Sequence, residues 1–358
     1  MKNVLMIAPL PWNIGGVEKR IAEIARNLDD RIRLVIVTSS ASDREVGEHR
    51  WNGANVVVLK RTRHFPYYPV GIFRYLRRHR DDFDLVDIQG LKTIEPLVFL
   101  LSGMRKPFIV TPHHHARASS RLFQLLKTFY DPLVGRRLLE QARQIICVSD
   151  VEKGLIRDDF GPHLLEKATV ICNGINLAEI RSAGPFDVDG DVVLYVGRLE
   201  KYKNVQLLIE SMRHLPVTYR LFVIGEGSYR KSLEQLAGES NLEDRVTFLG
   251  RISEQDVYRW LKTSKVFANL SDLEAFGISV IEALAAGTPA VVNDRYGLGE
   301  IARKFPGAVF PVNVKHSTPG TIARAIESAS MNGPVGLEPY EWSRIAAEIG
   351  EVYLAYTN

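Results

Sequence analysis

The stretch Cys172–Asp191, CNGINLAEIRSAGPFDVDGD, divides the chain into two halves of like pattern. Gly, Pro and Asp cluster there with little periodicity, which marks a linker. Before it, short apolar runs alternate with helical patterns. The strand candidates are NVLMIAP (3–9), RLVIVTS (33–39), ANVVVLK (54–60), DLVDIQG (84–90), PFIVTPH (107–113) and QIICVSD (144–150). Helical periodicity predicts helices over Gly16–Leu28, Tyr68–Arg80, Ile94–Ser102 and Arg121–Gln141. After the linker the alternation restarts with VVLYVG (192–197), YRLFVIG (219–225), VTFLG (246–250), KVFANL (265–270), TPAVVN (288–293) and GAVFPV (307–312). Helices are predicted there over Lys203–His214, Tyr229–Gly238, Glu254–Lys262 and Ser279–Ala286. Nearly continuous apolar runs suit strands buried on both faces of a parallel sheet. The expectation is an α/β protein of two Rossmann-like, doubly wound parallel-sheet domains facing an interdomain cleft. Their predicted extents are residues 1–180 and 181–338, with a last amphipathic helix over 339–358 that could pack back on the first domain.

Bulk properties agree with two soluble cores. The chain has 358 residues, 46% apolar and 25% charged, more than one ordinary core accommodates. Its two cysteines, Cys147 and Cys172, lack metal spacing and read as thiols in a reducing, cytoplasmic compartment. Met1–Trp12 reads as a first strand rather than a signal peptide. No apolar run approaches the roughly 18 residues of a spanning helix. The net charge of +4 is uneven: residues 1–180 carry 27 Lys and Arg against 20 Asp and Glu, the remainder 19 against 22. A mildly basic first half suggests an anionic partner, but no nucleic-acid-binding signature accompanies it.

Ligands of such sheets bind beyond the carboxyl ends of the strands, and the polar motifs fall there. Gly15 and Gly16 stand where the first strand turns into a helix, offering backbone amides to an anion or serving only as a tight turn. The pattern is not G-x-G-x-x-G, which disfavours a dinucleotide and an NAD-dependent oxidoreductase. Arg198 and Lys203, in YVGRLEKYKN (195–204), could clamp a diphosphate or stand as solvated surface cations. Three histidines, His113 to His115, follow the strand ending at Thr111. On an extended chain only His113 and His115 share a face, and no acid cluster lies nearby, so metal binding is disfavoured.

SDLEAFGISVIEALAAGTPAVVND (271–294) holds Glu274 and Glu282 with seven residues between them. A helix beginning near Ile278 leaves the amides of Phe276, Gly277 and Ile278 as unpaired helix-start donors suited to phosphate oxygens. Glu274 then lies in the preceding loop and Glu282 one turn inside. Each carboxylate can accept hydroxyl hydrogen bonds from a sugar or ribose. The bland alternatives are a helix-start acid and an exposed helical acid, but the apolar neighbours of Glu282 make a solvated position costly to reconcile.

Glu274-x7-Glu282, GRLEKYKN, IGGVE, NGIN and FLGRIS, in that register along essentially the whole chain, resemble the signature of retaining GT-B glycosyltransferases of the GT4 group, glycosyltransferase group 1. The resemblance implies transfer of a hexosyl group from a nucleoside-diphosphate sugar to a glycan or lipid-linked acceptor, forming an α-glycosidic bond. It implies that Arg198 and Lys203 hold the diphosphate, that Glu274 and the amides at 276–278 hold the sugar, that Glu282 holds the ribose and that residues around Arg251 flank the base. Gly16 would lie near the diphosphate and His113, or His115, would touch the sugar. The donor could be GDP-mannose, UDP-glucose or UDP-N-acetylglucosamine. With no D-x-D motif, no metal or other cofactor is expected. The rival readings are an epimerase or phosphorylase of the same architecture and a non-catalytic nucleotide-sugar-binding subunit. KRTRHFPYYPVGIFRYLRRHR (60–80) and SSRLFQLLKTFYDPLVGRRLL (119–139) mix aromatics with cations and could lie on an anionic membrane surface, or be ordinary amphipathic helices with a solvated basic face.

Overall fold

The computed structural model describes residues 1–9, 15–61, 70–91, 93–114, 130–331 and 333–357. His115 and residues 121–129 of the helix predicted over Arg121–Gln141 lie outside these. The chain forms two compact units: residues 1–174 with 342–358, and residues 175–341.

The first unit is built on strands β1 (Lys2–Ile7), β2 (Ile32–Ser40), β3 (Gly47–Trp51), β4 (Ala54–Lys60), β5 (Leu85–Gln89), β6 (Phe108–Thr111), β7 (Gln144–Cys147) and β8 (Ala168–Val170). Among the described residues their order is β3-β4-β2-β1-β5-β6-β7-β8. All pairings are parallel except β3 with β4. This antiparallel edge departs from the wholly parallel expectation. The signal for it is Asn52-Gly53, both at positive φ (46° and 84°), the turn that suits a two-residue hairpin.

Strand parity assigns the side chains. Leu5 and Ile7 of β1 join one buried cluster with Val35, Val37, Val86, Ile88 and Val110, while Val4 and Met6 join the other with Leu34, Ile36 and Val56. The first cluster is covered by α2 (Val70–Arg78), α3 (Glu95–Ser102), α4 (Arg136–Gln141) and α5 (Asp150–Phe160), whose buried residues include Ile72, Phe99, Leu138 and Ile156. Helix α1 (Gly16–Asn27) and the helix Trp342–Ala355 cover the second with Ile21, Ile24, Ile345 and Ile349. Helix α5 is absent from the sequence-based expectation. Ser149 caps it by accepting from the Glu152 amide, a start signal present in the sequence.

The second unit holds β9 (Asp191–Val196), β10 (Tyr219–Ile224), β11 (Val246–Gly250), β12 (Val266–Asn269), β13 (Ala290–Asn293) and β14 (Val309–Val312). All are parallel, in the order β11-β10-β9-β12-β13-β14. Its helices are α6 (Leu177–Ser182), α7 (Val205–Ser211), α8 (Arg230–Glu239), α9 (Glu254–Thr263), α10 (Ile278–Ala285), α11 (Tyr296–Lys304) and α12 (Pro319–Ser328). Helix α6 lies inside the linker-like stretch and buries Leu177 and Ile180 within this unit. The chain then returns as α13 (Trp342–Ala355), part of the first unit. Ile175 donates to the Tyr340 carbonyl (2.7 Å), and Ile175 bridges Glu341 in parallel. A β-carbon on Gly174 would lie 2.6 Å from the buried Trp342 ring, so only glycine allows that packing.

One polar group sits deep in the first unit. Tyr353 Oη donates to Asp87 Oδ2 at 2.6 Å and Gln89 Nε2 donates to the same oxygen at 2.8 Å. Arg20 is fully buried on α1 and donates to the Cys172 carbonyl (2.8 Å) and Asn173 Oδ1 (3.0 Å). Burial pushes the Asp87 carboxyl from 3.8 up to about 6, against the hydrogen bonds and the Arg20 charge that favour ionisation. Because the folded-state value is the higher one, this carboxyl's stabilising contribution is complete below about pH 4 and is lost as pH rises through about 6. Asp87→Asn cannot ionise. Between pH 4 and 7 it is expected to gain on the wild type by up to about 3 kcal/mol in denaturant unfolding of the first unit. A stability gap that stays constant across that range would contradict this assignment.

Candidate active site in the second unit

The order of the second sheet reverses direction between β9 and β12. Loops leaving the carboxyl ends of two such neighbours diverge and leave a crevice between them. The loop after β9 carries Arg198 and Lys203, and the loop after β12 carries Glu274.

The β9 loop is held from three sides. Gly197 donates to the Ile224 carbonyl (3.0 Å) and Leu199 to the Glu226 carbonyl (2.9 Å), tying it to the end of β10. The approach is so close that a β-carbon on Gly225 would lie 1.9 Å from the Gly197 oxygen. Buried Tyr195 donates its hydroxyl to the Arg198 carbonyl at 2.9 Å. Arg198 itself is exposed and donates from Nη2 to Tyr202 Oη at 3.1 Å.

Lys203 is predicted within a helix but occupies a separate turn, Lys201–Lys203. Asn204 ends that turn at φ 56° and donates from Nδ2 to the Leu270 carbonyl (2.9 Å). Its left-handed conformation and side-chain bond break the helical path, so α7 starts only at Val205. The Asp272 amide donates to the Tyr202 carbonyl at 2.9 Å, joining this turn to the β12 loop. Lys203 Nζ meets Glu274 Oε2 at 2.5 Å, with side chains only 11% and 23% exposed. Exposed ion pairs are worth about 0–1 kcal/mol, whereas removing one partner of a buried pair costs roughly 3–5 kcal/mol. With both side chains mostly covered, this pair lies nearer the second case. Lys203 also stands over the Tyr202 ring, 5.2 Å from its centroid.

Helix α10 begins at Ile278. Gly277 precedes it at φ 101°, and no side chain caps the helix. A β-carbon on Gly277 would press on Leu298 at 2.9 Å as well as strain the backbone. Among the described residues, the amides of Phe276, Gly277 and Ile278 have no intramolecular acceptor. Phe276 is buried, which fixes the loop's course. Glu274 thus lies four residues before the helix and Glu282 in its second turn. Glu282 is buried, 5% exposed, and engaged with other groups of the protein. Arg251 follows β11 and is exposed at the same sheet edge. The second unit therefore brings Arg198, Lys203, Glu274 and the 276–278 amides to the ends of two adjacent strands. Arg251 follows a strand two places away.

The remaining candidates belong to the first unit. Gly15 and Gly16 form the start of α1; Gly15 is extended (φ 178°) and lies beside the Glu18 side chain. His113 follows β6 at φ 48°, so the chain is not extended there and the parity argument for the three histidines fails. Its Nε2 lies 3.1 Å from Gln89 Oε1. His114 is buried and structural: its amide donates to Glu152 Oε1 (2.5 Å) and its Nε2 pairs with Asp159 Oδ2 (2.6 Å). His115 lies outside the described residues. Sequence reasoning missed Tyr202, which accepts from Arg198 and joins the β12 loop through its carbonyl, and Asn204, which ties the turn after Lys203 to Leu270. An asparagine directly before a helix start is the one signal that pointed to Asn204.

The comparisons with known proteins agree with this layout. The family described as "Glycosyl transferases group 1" matches residues 177–335, and "Glycosyltransferase Family 4" matches residues 14–179. An uncharacterised glycosyltransferase of Methanocaldococcus jannaschii is 30% identical over 214 residues, 52% of this chain and 54% of that protein. Phosphatidyl-myo-inositol mannosyltransferase of Mycobacterium tuberculosis is 24% identical over 379 residues, 97% of this chain and 95% of that one. Among solved structures, HepE of Anabaena in complex with UDP-glucose has a TM-score of 0.70 at 18% identity, over 99% of this chain and 100% of that one. The two family matches together run from residue 14 to residue 335, and the chain belongs to the group 1, family 4 glycosyltransferases, with the GT-B fold.

Proposed function

We propose that the protein is a retaining hexosyltransferase that moves a sugar from a nucleoside diphosphate to a glycan or lipid-linked acceptor. The observation that carries this reading is the juxtaposition of Arg198, Lys203 and the open amides at 276–278 with Glu274, at the reversal of strand order in the second sheet. Departure of the sugar builds negative charge on the diphosphate. Two cations and a helix start oppose that charge, and electrostatic stabilisation of this kind is usually the largest single term in catalysis. Glu274 accepts hydrogen bonds from sugar hydroxyls and Glu282 from the ribose, while Arg251 flanks the base. The acceptor hydroxyl attacks on the face the diphosphate leaves, and a phosphate oxygen takes its proton, so no protein nucleophile is needed. The first unit binds the acceptor.

The relatives support a nucleotide-sugar donor without fixing it. One was solved with UDP-glucose, and another is named for mannosyl transfer to phosphatidyl-myo-inositol. Uridine and guanosine donors carrying glucose, N-acetylglucosamine or mannose fit the same clamp. A lipid-linked acceptor would bring the chain to a membrane surface. No helix among the described residues is long and apolar enough to cross a membrane. Helix α2 buries Ile72 and Leu76 in the core and turns Arg74, Arg77 and Arg78 outward, so its contact with lipid would be electrostatic.

A thermal-shift panel of UDP, GDP, ADP and their sugars tests the donor reading; one base is expected to raise the melting temperature, with a shift that grows with the logarithm of ligand concentration above Kd. Arg198→Ala, Lys203→Ala and Glu274→Ala should each lower kcat by about 10²–10³ in protein that is still folded at the assay temperature, although the last two also lose stability because each leaves one partner of a covered ion pair behind. Wild-type turnover in all three would refute the site. Activity is expected to survive a chelator, since the chain's own cations face the leaving group; loss on EDTA treatment, restored by a divalent ion, would overturn that point. The product's anomeric configuration, read by NMR coupling constants, decides whether transfer retains it.

A further inference from the structure

Lys203 is given two partners by the foregoing reading: Glu274, which it holds in the structure, and the donor diphosphate. We propose that Glu274 is a latch that competes with the diphosphate for Lys203, so that the site distinguishes an intact nucleotide-sugar from the spent nucleoside diphosphate. This deepens the proposed function and rests on it.

The argument begins from the geometry. Nζ and Oε2 are 2.5 Å apart in a setting where both side chains are largely covered. The two loops that carry them are fastened independently of that pair, through Asp272 to the Tyr202 carbonyl and Asn204 to the Leu270 carbonyl. Tyr195 and Tyr202 similarly hold Arg198 by its carbonyl and its guanidinium. The backbone frame therefore stays in place when the side chains exchange partners. A diphosphate placed on the α10 amides draws Lys203 toward its oxygens. Glu274 is then left as a half-covered carboxylate with no cation, which is costly unless new donors arrive. A donor sugar supplies them as hydroxyls; a free nucleoside diphosphate does not. Once the sugar has moved to the acceptor, Glu274 loses its hydroxyl donors and retakes Lys203, which weakens the hold on the product. The same carboxylate thus grips the substrate and speeds the exit of what remains.

The test is calorimetric, on the full chain, with UDP, UDP-glucose, GDP and GDP-mannose as probes against wild type, Glu274→Gln, Lys203→Met and the double variant. The latch predicts that Glu274→Gln binds the free diphosphate about tenfold more tightly than wild type while binding the nucleotide-sugar more weakly. It also predicts that the gain vanishes in the Lys203→Met background. Glu274→Ala must show the same direction, which covers the case of a Gln variant that folds poorly. Unchanged or weaker diphosphate binding in both Glu274 variants overturns the latch, as does a gain that persists without Lys203. Wild-type protein that binds none of the four probes overturns the nucleotide-sugar reading and the latch with it. Wild-type binding that Lys203→Met weakens, without a gain in the Glu274 variants, leaves that reading standing and removes only the latch.

Discussion

The reversal of strand order between β9 and β12 is the constraint on which the rest of the second unit depends. Neighbouring parallel strands with crossovers on one hand send their loops the same way; at a reversal the loops part. Arg198 and Lys203 descend from one side and Glu274 from the other. No local sequence feature could bring residues 71 positions apart, Lys203 and Glu274, into contact; the topology does it. The buried alternation of Val193, Tyr195, Leu221, Val223, Val266 and Ala268 in a single cluster makes the strand ends rigid.

Charge is managed differently in the two units. In the second, cation and carboxylate face each other at a loop junction where a ligand can intervene. In the first, Arg20 and Asp87 lie wholly inside the core, bound by Cys172, Asn173, Gln89 and Tyr353. Those contacts join α1, β5, the end of the first chain segment and the returning helix α13. Gln89 carries the connection outward to His113, whose position at a left-handed φ is otherwise poorly favoured for a non-glycine residue. Hydrogen bonds thus link the buried group to the chain just after β6.

Periodicity made most of this fold legible. Continuous apolar runs marked the parallel strands, and α1, α3, α8, α9 and α10 begin and end within a residue or two of expectation. What was missed has specific causes. Helix α5, DVEKGLIRDDF, is too polar for its stripe to stand out, and only the Ser149 cap announces it. The hairpin at Asn52-Gly53 was read as one strand because its first arm is largely polar. Lys203 was assigned to a helix because the turn ahead of α7 has helical spacing; the interruption depends on Asn204 reaching Leu270, which is 66 residues away. The candidate site residues stand out in the sequence as separate motifs, and the expected helix start near Ile278 agrees with α10. The Lys203–Glu274 pairing was not legible, because it is a tertiary contact between residues that seemed to need only a ligand.

The boundary at Gly174 has a wider meaning. Residues 175–341 enter and leave beside one another, with Ile175 paired to Tyr340 and Glu341, while Gly174 closes on Trp342 beneath them. Topologically the second unit is a cassette spliced into the first, and its two ends meet at a single seam. An insertion closed at one seam can change in length or sequence within its own sheet without interrupting the strands of its host.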